Sequence, residues 1–280
     1  MGTVGVRLPE TASNHRDAPC IAGERCFDDP RMIAGQLGRL HHRIAAHPVR
    51  KGARLIVEDD RCEFLYILVR GWALKYKSAV DGRRQIVDFA LPGEVLGFVA
   101  DRCAPYAVDM LTDGEVVSIP RAIFDGIVAS RPDFALHVCG RLEEAETRAY
   151  ERIASIGYRS ARLRVCRLLV EFIERVGRAA PGAGRSDYPL PLRQQHIGDA
   201  LGLRVETVCR VLVELRRSGI AAVRRGRLFV LNAAALVAES EAAGDDDRQD
   251  DVAPRPTTAA PTVQAPRVPA GSASPAYADD

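Results

Sequence analysis

The hydrophobic period of this chain changes near residue 120. That change restricts the chain to a β-rich unit followed by a helical one. Between residues 49 and 119, "RLIVE", "CEFLYILV", "GWALKYK", "RQIVDFAL" and "GEVVSIP" are short β-branched and aromatic runs. The turn signals "RKG", "EDD", "RG", "VDGR" and "LPGE" separate them. In "GWALKYK", Trp72, Leu74 and Tyr76 alternate with Ala73, Lys75 and Lys77, the pattern of a half-buried strand. Strands at this spacing predict a small antiparallel roll, barrel or sandwich.

The period is helical in "RPDFALHVCGRLEEAETRAYERIASIG". Asp133, beside Pro132, reads as the N-cap. Ala135, Val138, Leu142, Ala145, Ala149 and Ile156 follow 3–4 spacing, with Arg152 interrupting the stripe. Two roles suit such a stripe: packing on the chain's own roll, or a homodimer seam. The seam assigned to a dimer is Val138, Leu142, Ala145, Ala149, Ile153 and Ile156.

Residues 161–177 form a further amphipathic helix, ended by Gly177 and "AAPGAGRSDYP". "LPLRQQHIGDALGLRVETVCRVLVELRRSGI" then reads as two helices with Gly202 in the tight turn, which is helix-turn-helix spacing. "AAVRRGRLFVLN" reads as two short strands around "RRGR", a wing. In the second helix Val208, Leu212 and Leu215 share an inward face, while Glu206, Cys209, Arg210 and Val213 share another stripe. A recognition helix presents its N-terminal side chains to base edges in the major groove. Arg bonds guanine O6 and N7, and Glu accepts from cytosine N4, so Glu206 and Arg210 suit a G·C-containing half-site. The candidate DNA-binding set is Arg193, Arg204, Val205, Glu206, Thr207, Cys209, Arg210, Arg216, Arg217, Arg224 and Arg225. Arg193, Arg204, Arg216, Arg217, Arg224, Arg225 and Arg227 are expected on phosphates, which position without specifying sequence. The bland alternative is a surface helix with an internal Glu206–Arg210 pair.

Charge distribution points the same way. The 280 residues carry a net charge of only +2. From Tyr158 to Asn232, however, 15 Arg face 6 acidic residues, a balance of +9, whereas Glu239 to Asp280 holds 9 acids and 3 Arg, a balance of −6. The seven cysteines, at 20, 26, 62, 103, 139, 166 and 209, form no C-x-x-C pair. The first twenty residues show no apolar stretch of a secretory signal, and no apolar run approaches a membrane span. A reduced, cytoplasmic setting with free thiols and no membrane partner is expected.

Together these features predict an α+β chain. Its segments are a flexible one at 1–30, with a short helix over 31–46 opening the next, a β-roll at 31–128, a dimerisation helix at 129–157, a winged helix-turn-helix at 158–235 and a disordered acidic tail at 240–280. That order resembles the Crp/Fnr family of bacterial transcription regulators over roughly residues 30–235. "KG" at 51–52, "RG" at 70–71, "LPGEVLG" at 91–97 and "IGDALGLRVETVCRVLVELRRSGI" at 197–220 carry the resemblance. "VETVCR" is similar to the E-x-x-S-R pattern of the Fnr/FixK branch, with Cys209 where that pattern has Ser. The resemblance implies a cyclic-nucleotide-binding-like roll. It also implies a homodimer on palindromic DNA with TTGA-type half-sites, activation through RNA polymerase, and a low-oxygen or redox programme. It implies no enzyme.

The resemblance also frames the signal. The family's cyclic-nucleotide binders use a Gly-Glu segment and an Arg-Ser pair. Here Gly93-Glu94 is present, but Ala104 and Pro105 stand at the Arg-Ser positions, leaving a buried phosphate poorly compensated. The family's oxygen sensors hold a [4Fe–4S] cluster on four cysteines. Cys20 and Cys26 match two of them, and Val117 stands at the position in the roll. The histidines show no haem pattern. The reading adopted is a FixK-like regulator without a cofactor, with Cys209 as a redox candidate near arginines. A cyclic-nucleotide response and an atypical cluster are the alternatives.

Overall fold

The computed structural model describes residues 44–242 apart from 80–81, 99–102 and 180–185, together with Pro30, Arg31, Gly35, Leu37 and Gly38. The rest of the expected flexible segment, and the tail beyond residue 242, lie outside the described residues. Eight strands build the first unit: β1 (Ala45–Val49), β2 (Arg54–Ile56), β3 (Phe64–Arg70), β4 (Ala73–Ser78), β5 (Arg84–Ala90), β6 (Val95–Leu96), β7 (Ala107–Met110) and β8 (Gly114–Pro120). They form two four-stranded antiparallel sheets, in the orders β1-β8-β3-β6 and β2-β7-β4-β5. The expected helix over 31–46 is corrected at its end: Ala45 and Ala46 already pair with Ser118 and Val117.

The two-residue side-chain period sorts each strand between two cores. Leu68, Ala73, Ala90, Leu96, Val108 and Val116 meet inside the roll. On the other side of the first sheet, Leu65, Ile67, Val117 and Ile119 pack under α1 (Arg121–Ser130) and the start of α2 (Pro132–Tyr158). The half-buried reading of β4 is therefore revised. Ala73 faces the roll interior while Trp72, Leu74 and Tyr76 are covered from the other side, so both faces are buried.

What covers them is α3 (Ala161–Ala179), the first helix of the C-terminal unit. Phe172 packs between Trp72 and Phe89, tilted against the first and edge-to-face with the second, with ring centroids 5.3 Å and 5.4 Å apart. A single apolar cluster runs from these roll residues through Leu168, Leu169 and Ile173 to Ile197, Val208, Leu215 and Leu228. The roll and the helix-turn-helix thus share one core.

Helix α2 departs from expectation in two respects. Its N-cap is Arg131, with Pro132 at the first helical position, so Asp133 lies in the first turn and ion-pairs with Arg131 at 2.6 Å. Its apolar stripe is also divided. Val138 is 2% exposed beside Phe124, Ile127 and Phe134, and Leu142 leans on the same cluster. Ala145, Ala149 and Ile156 are half-buried within the chain. Val138 is thus withdrawn from a dimer seam, because its face of the helix is needed against the roll. Ile153 lies on the neighbouring, open stripe, 67% exposed, with Leu136 and Tyr150.

Phe172→Ala removes the ring that joins the roll to the C-terminal unit. It should cost about 3–5 kcal/mol, measured by urea unfolding. Trp72, the one tryptophan of the chain, reports on this junction. Its fluorescence and far-UV circular dichroism should give the same midpoint in the wild type. Separate midpoints would mean separate cores.

Candidate nucleic-acid interface

The C-terminal unit continues with β9 (Asp187–Pro189), α4 (Gln194–Leu201), α5 (Val205–Arg217), β10 (Ala221–Arg224), β11 (Arg227–Val230) and α6 (Ala233–Glu241). Helix α6 was not foreseen, and it corrects the start of the acidic tail. Ser240 is buried, and Glu239 pairs with Arg162 at 2.7 Å.

The turn between α4 and α5 is set by two glycines. Gly202 is left-handed, at φ 64° and ψ 36°. The Leu203 N–H then donates to the Gly198 carbonyl at 3.0 Å. A Cβ at Gly198 would lie 2.6 Å from the Leu203 oxygen, so the close approach excludes any side chain there. The sequence pointed only to Gly202; Gly198 looks like an ordinary helical residue until the turn folds onto it.

Helix α5 is about 20 Å long at 1.5 Å per residue. Val208, Val211 and Leu215 hold it to the core and Leu212 packs at the margin. Val211, three residues after Val208, widens the buried face beyond the Val208–Leu212–Leu215 stripe that the sequence pattern marks. Glu206, Cys209 and Arg210 are exposed together, and Val205, Thr207 and Val213 are half-exposed. Among the described residues, Glu206 and Arg210 do not ion-pair with each other or with any other group, which removes the internal-pair reading. Arg204 is the N-cap of α5, and Arg216 and Arg217 close its last turn, where the helix dipole favours cations.

The wing is the β10–β11 hairpin, with β9 as a third strand. Its two-residue turn, Arg225 at φ 49° and Gly226 at φ 73°, is of the doubly left-handed kind that matches strand twist. Arg224 and Arg225 project from it, exposed. Arg227 does not join them, contrary to expectation: its Nε donates to Asp187 at 2.9 Å, which ties the wing to β9.

The arginine excess is thereby sorted. Arg162, Arg167 and Arg175 are paired internally. Arg193, Arg210, Arg216, Arg217, Arg224 and Arg225 are exposed and have no ion-pair partner among the described residues. Uncompensated cations on a helix and a wing form the electrostatic footprint of a DNA-binding face.

Residues 163–239 match the Crp-like helix-turn-helix domain, and residues 46–131 the cyclic nucleotide-binding domain. The chain is 33% identical over 197 residues to the transcriptional activatory protein AadR of Rhodopseudomonas palustris, covering 68% of this chain and 81% of that protein. It is 31% identical over 207 residues to the nitrogen fixation regulation protein FixK of Bradyrhizobium diazoefficiens, covering 74% and 86%. The solved structure of FixK2 from Bradyrhizobium japonicum is similar, with a TM-score of 0.65 and 28% identity over 72% of this chain and 99% of that one. The chain belongs to the Crp/Fnr family, on its FixK-like branch. It is a DNA-binding transcription regulator rather than an enzyme.

Within the roll, the Glu94 carboxylate is buried and bonded to Arg148 and Arg175. Ala104, at an expected clamp position, is also buried. Val117 is fully buried in β8. Cys62 and Cys166 are buried, Cys103, Cys139 and Cys209 exposed, and all five are free. Among the described residues no three metal-ligating side chains converge, and Cys20 and Cys26 lie outside those residues. No described helix is long and apolar enough to cross a membrane.

One titratable group sits where α4 meets the roll. The His196 Nδ1 accepts from the Arg193 N–H at 3.2 Å, capping α4. Burial pushes its pKa below the usual histidine value, and nearby Arg193, Lys51 and Arg84 push it further, against Asp199. A histidine depressed in the folded state binds more protons when unfolded, so stability falls as the pH drops below the ordinary value of about 6.5. His196→Gln should flatten this slope in denaturant unfolding between about pH 7.5 and about pH 5. Equal slopes in the two proteins would assign the effect elsewhere.

Proposed function

We propose that the protein binds palindromic DNA with TTGA-type half-sites as a homodimer, in the cytoplasm, and activates transcription through contacts with RNA polymerase. The observation that carries this reading is the trio Glu206, Cys209 and Arg210, exposed on a helix whose last turn carries Arg216 and Arg217, which have no ion-pair partner among the described residues. A TTGA half-site contains a G·C pair of the kind that Arg and Glu read. Leu136, Cys139, Glu143, Glu146, Tyr150 and Ile153 alternate by three and four along the open face of α2. That spacing, with Leu136, Tyr150 and Ile153 each more than 60% exposed, supports a two-helix seam. The half-buried Ala145, Ala149 and Ile156 would flank it. Exposed roll loops and the wing are the surfaces offered to the polymerase. The nitrogen fixation role named for the similar FixK proteins supports a low-oxygen programme.

The test is binding of ligand-free protein, purified in air and kept reduced, to a duplex with two TTGA-type half-sites about one helical turn apart, against a scrambled duplex at equal salt. Arg210→Ala should lose about 1–3 kcal/mol of discrimination at the guanine. Arg225→Ala should weaken both duplexes equally and lower the slope of log affinity on log salt by about one. Unselective binding by the wild type would overturn the reading.

Cys209 gives the proposed signal. Its thiol is exposed between Glu206 and Arg210, where oxidation adds bulk and negative charge against DNA phosphate. Peroxide should abolish selective binding by the wild type but spare Cys209→Ser. Equal loss in both proteins would eliminate the switch.

A further inference from the structure

Six charged side chains are packed where the roll, α2 and α3 meet. Asp88 and Glu94 come from the roll, Arg148 and Arg152 from α2, and Glu171 and Arg175 from α3. Asp88, Glu94, Arg152 and Arg175 are each at most 6% exposed. Three cations therefore face three anions, largely out of water.

The geometry is tightly specified. Arg175 donates to Glu94 at 2.6 Å, to Glu171 at 2.6 Å and to the Phe89 carbonyl. Arg148 bridges Asp88 at 3.0 Å and Glu94 at 3.1 Å. Arg152 reaches Glu171 at 3.0 Å and the Val87 carbonyl at 2.8 Å. That carbonyl is free because the β4–β5 register shifts between Lys75 and Tyr76, leaving Val87 as a bulge. Each of the three helix or roll partners is bonded to both of the others. Burial alone would raise the Asp88 carboxyl, but Arg175, Arg148, Arg152 and Lys75 hold it below the usual carboxylate range.

The aromatic junction beside this cluster holds α3 to the roll mainly through buried apolar area, with only a small preference from ring geometry. Buried ion pairs are stricter: removing a partner leaves an uncompensated charge in low dielectric. Among the ways α3 can lie against the roll and α2, the ion pairs favour one.

We propose that this hub sets the orientation of the DNA-binding unit, with Arg175 as its central positioning residue. It fixes α3 against α2 and so fixes the half-site separation that two recognition helices can reach together. This rests on the homodimer and operator read above. Glu94, which the sequence suggested for a ligand segment, is here an internal anchor.

The test uses the full chain and Arg175→Met, which keeps the apolar stem. The probes are duplexes with two TTGA-type half-sites at stepped separations, and one with a single half-site. Arg175→Met should match the wild type on the single half-site. At the preferred separation it should bind about tenfold or more weaker, with the preference among separations flattened. Arg175→Lys should restore part of the preference. An unchanged separation profile would overturn the proposal. If Arg175→Met does not fold by circular dichroism, the near-isosteric Glu94→Gln takes its place, and an unchanged profile there overturns it equally. A wild type with no preferred separation would remove the operator reading, and this proposal with it. Selective wild-type binding with an unchanged variant profile removes this proposal alone.

Discussion

The packing of Phe172 between Trp72 and Phe89 is the contact on which the rest of the structure depends. It makes the roll's second sheet the floor on which the helix-turn-helix is built. Without it, α3 would bury its apolar face only against the small winged unit, whose own core is limited. With it, one cluster runs from the strands to the recognition helix. Apolar area supplies the attraction, and the adjacent buried ions supply the direction.

That arrangement explains how a largely neutral chain presents a basic face. Arginines of α3 are turned inward or sideways onto Glu94, Glu151, Glu171 and Glu239. Arg210, Arg216 and Arg217 of α5, and Arg224 and Arg225 of the wing, have no carboxylate in reach among the described residues and remain available to phosphate. The same +9 block thus divides into cations that hold the domain together and cations that face outward.

The family's ligand site and this chain's internal hub are alternative uses of a roll. A carboxylate buried in a roll needs a donor, and in a ligand-dependent protein the ligand can supply one. Here Arg148 and Arg175 supply it, so Glu94 is satisfied by the protein itself.

Two kinds of secondary structure, their order, the helix-turn-helix with Gly202, the wing and the exposed Glu206–Cys209–Arg210 stripe were all legible along the chain. These are local matters: side-chain periods of two and 3.6 residues, and turn chemistry that needs a left-handed residue. What each face meets depends instead on long-range packing. Val138 and Ile153 both look like seam residues along the chain, yet one is in the roll core and the other faces outward, because a helix touching its own roll must divide its apolar positions. Arg227 and Arg225 read alike two residues apart, yet only Arg227 finds Asp187 on β9. Asp88, Arg152 and Arg175 are separated by 64 and 23 positions in sequence and carry no local motif. Their meeting depends on a strand bulge and two helices arriving together, which no short-range pattern encodes.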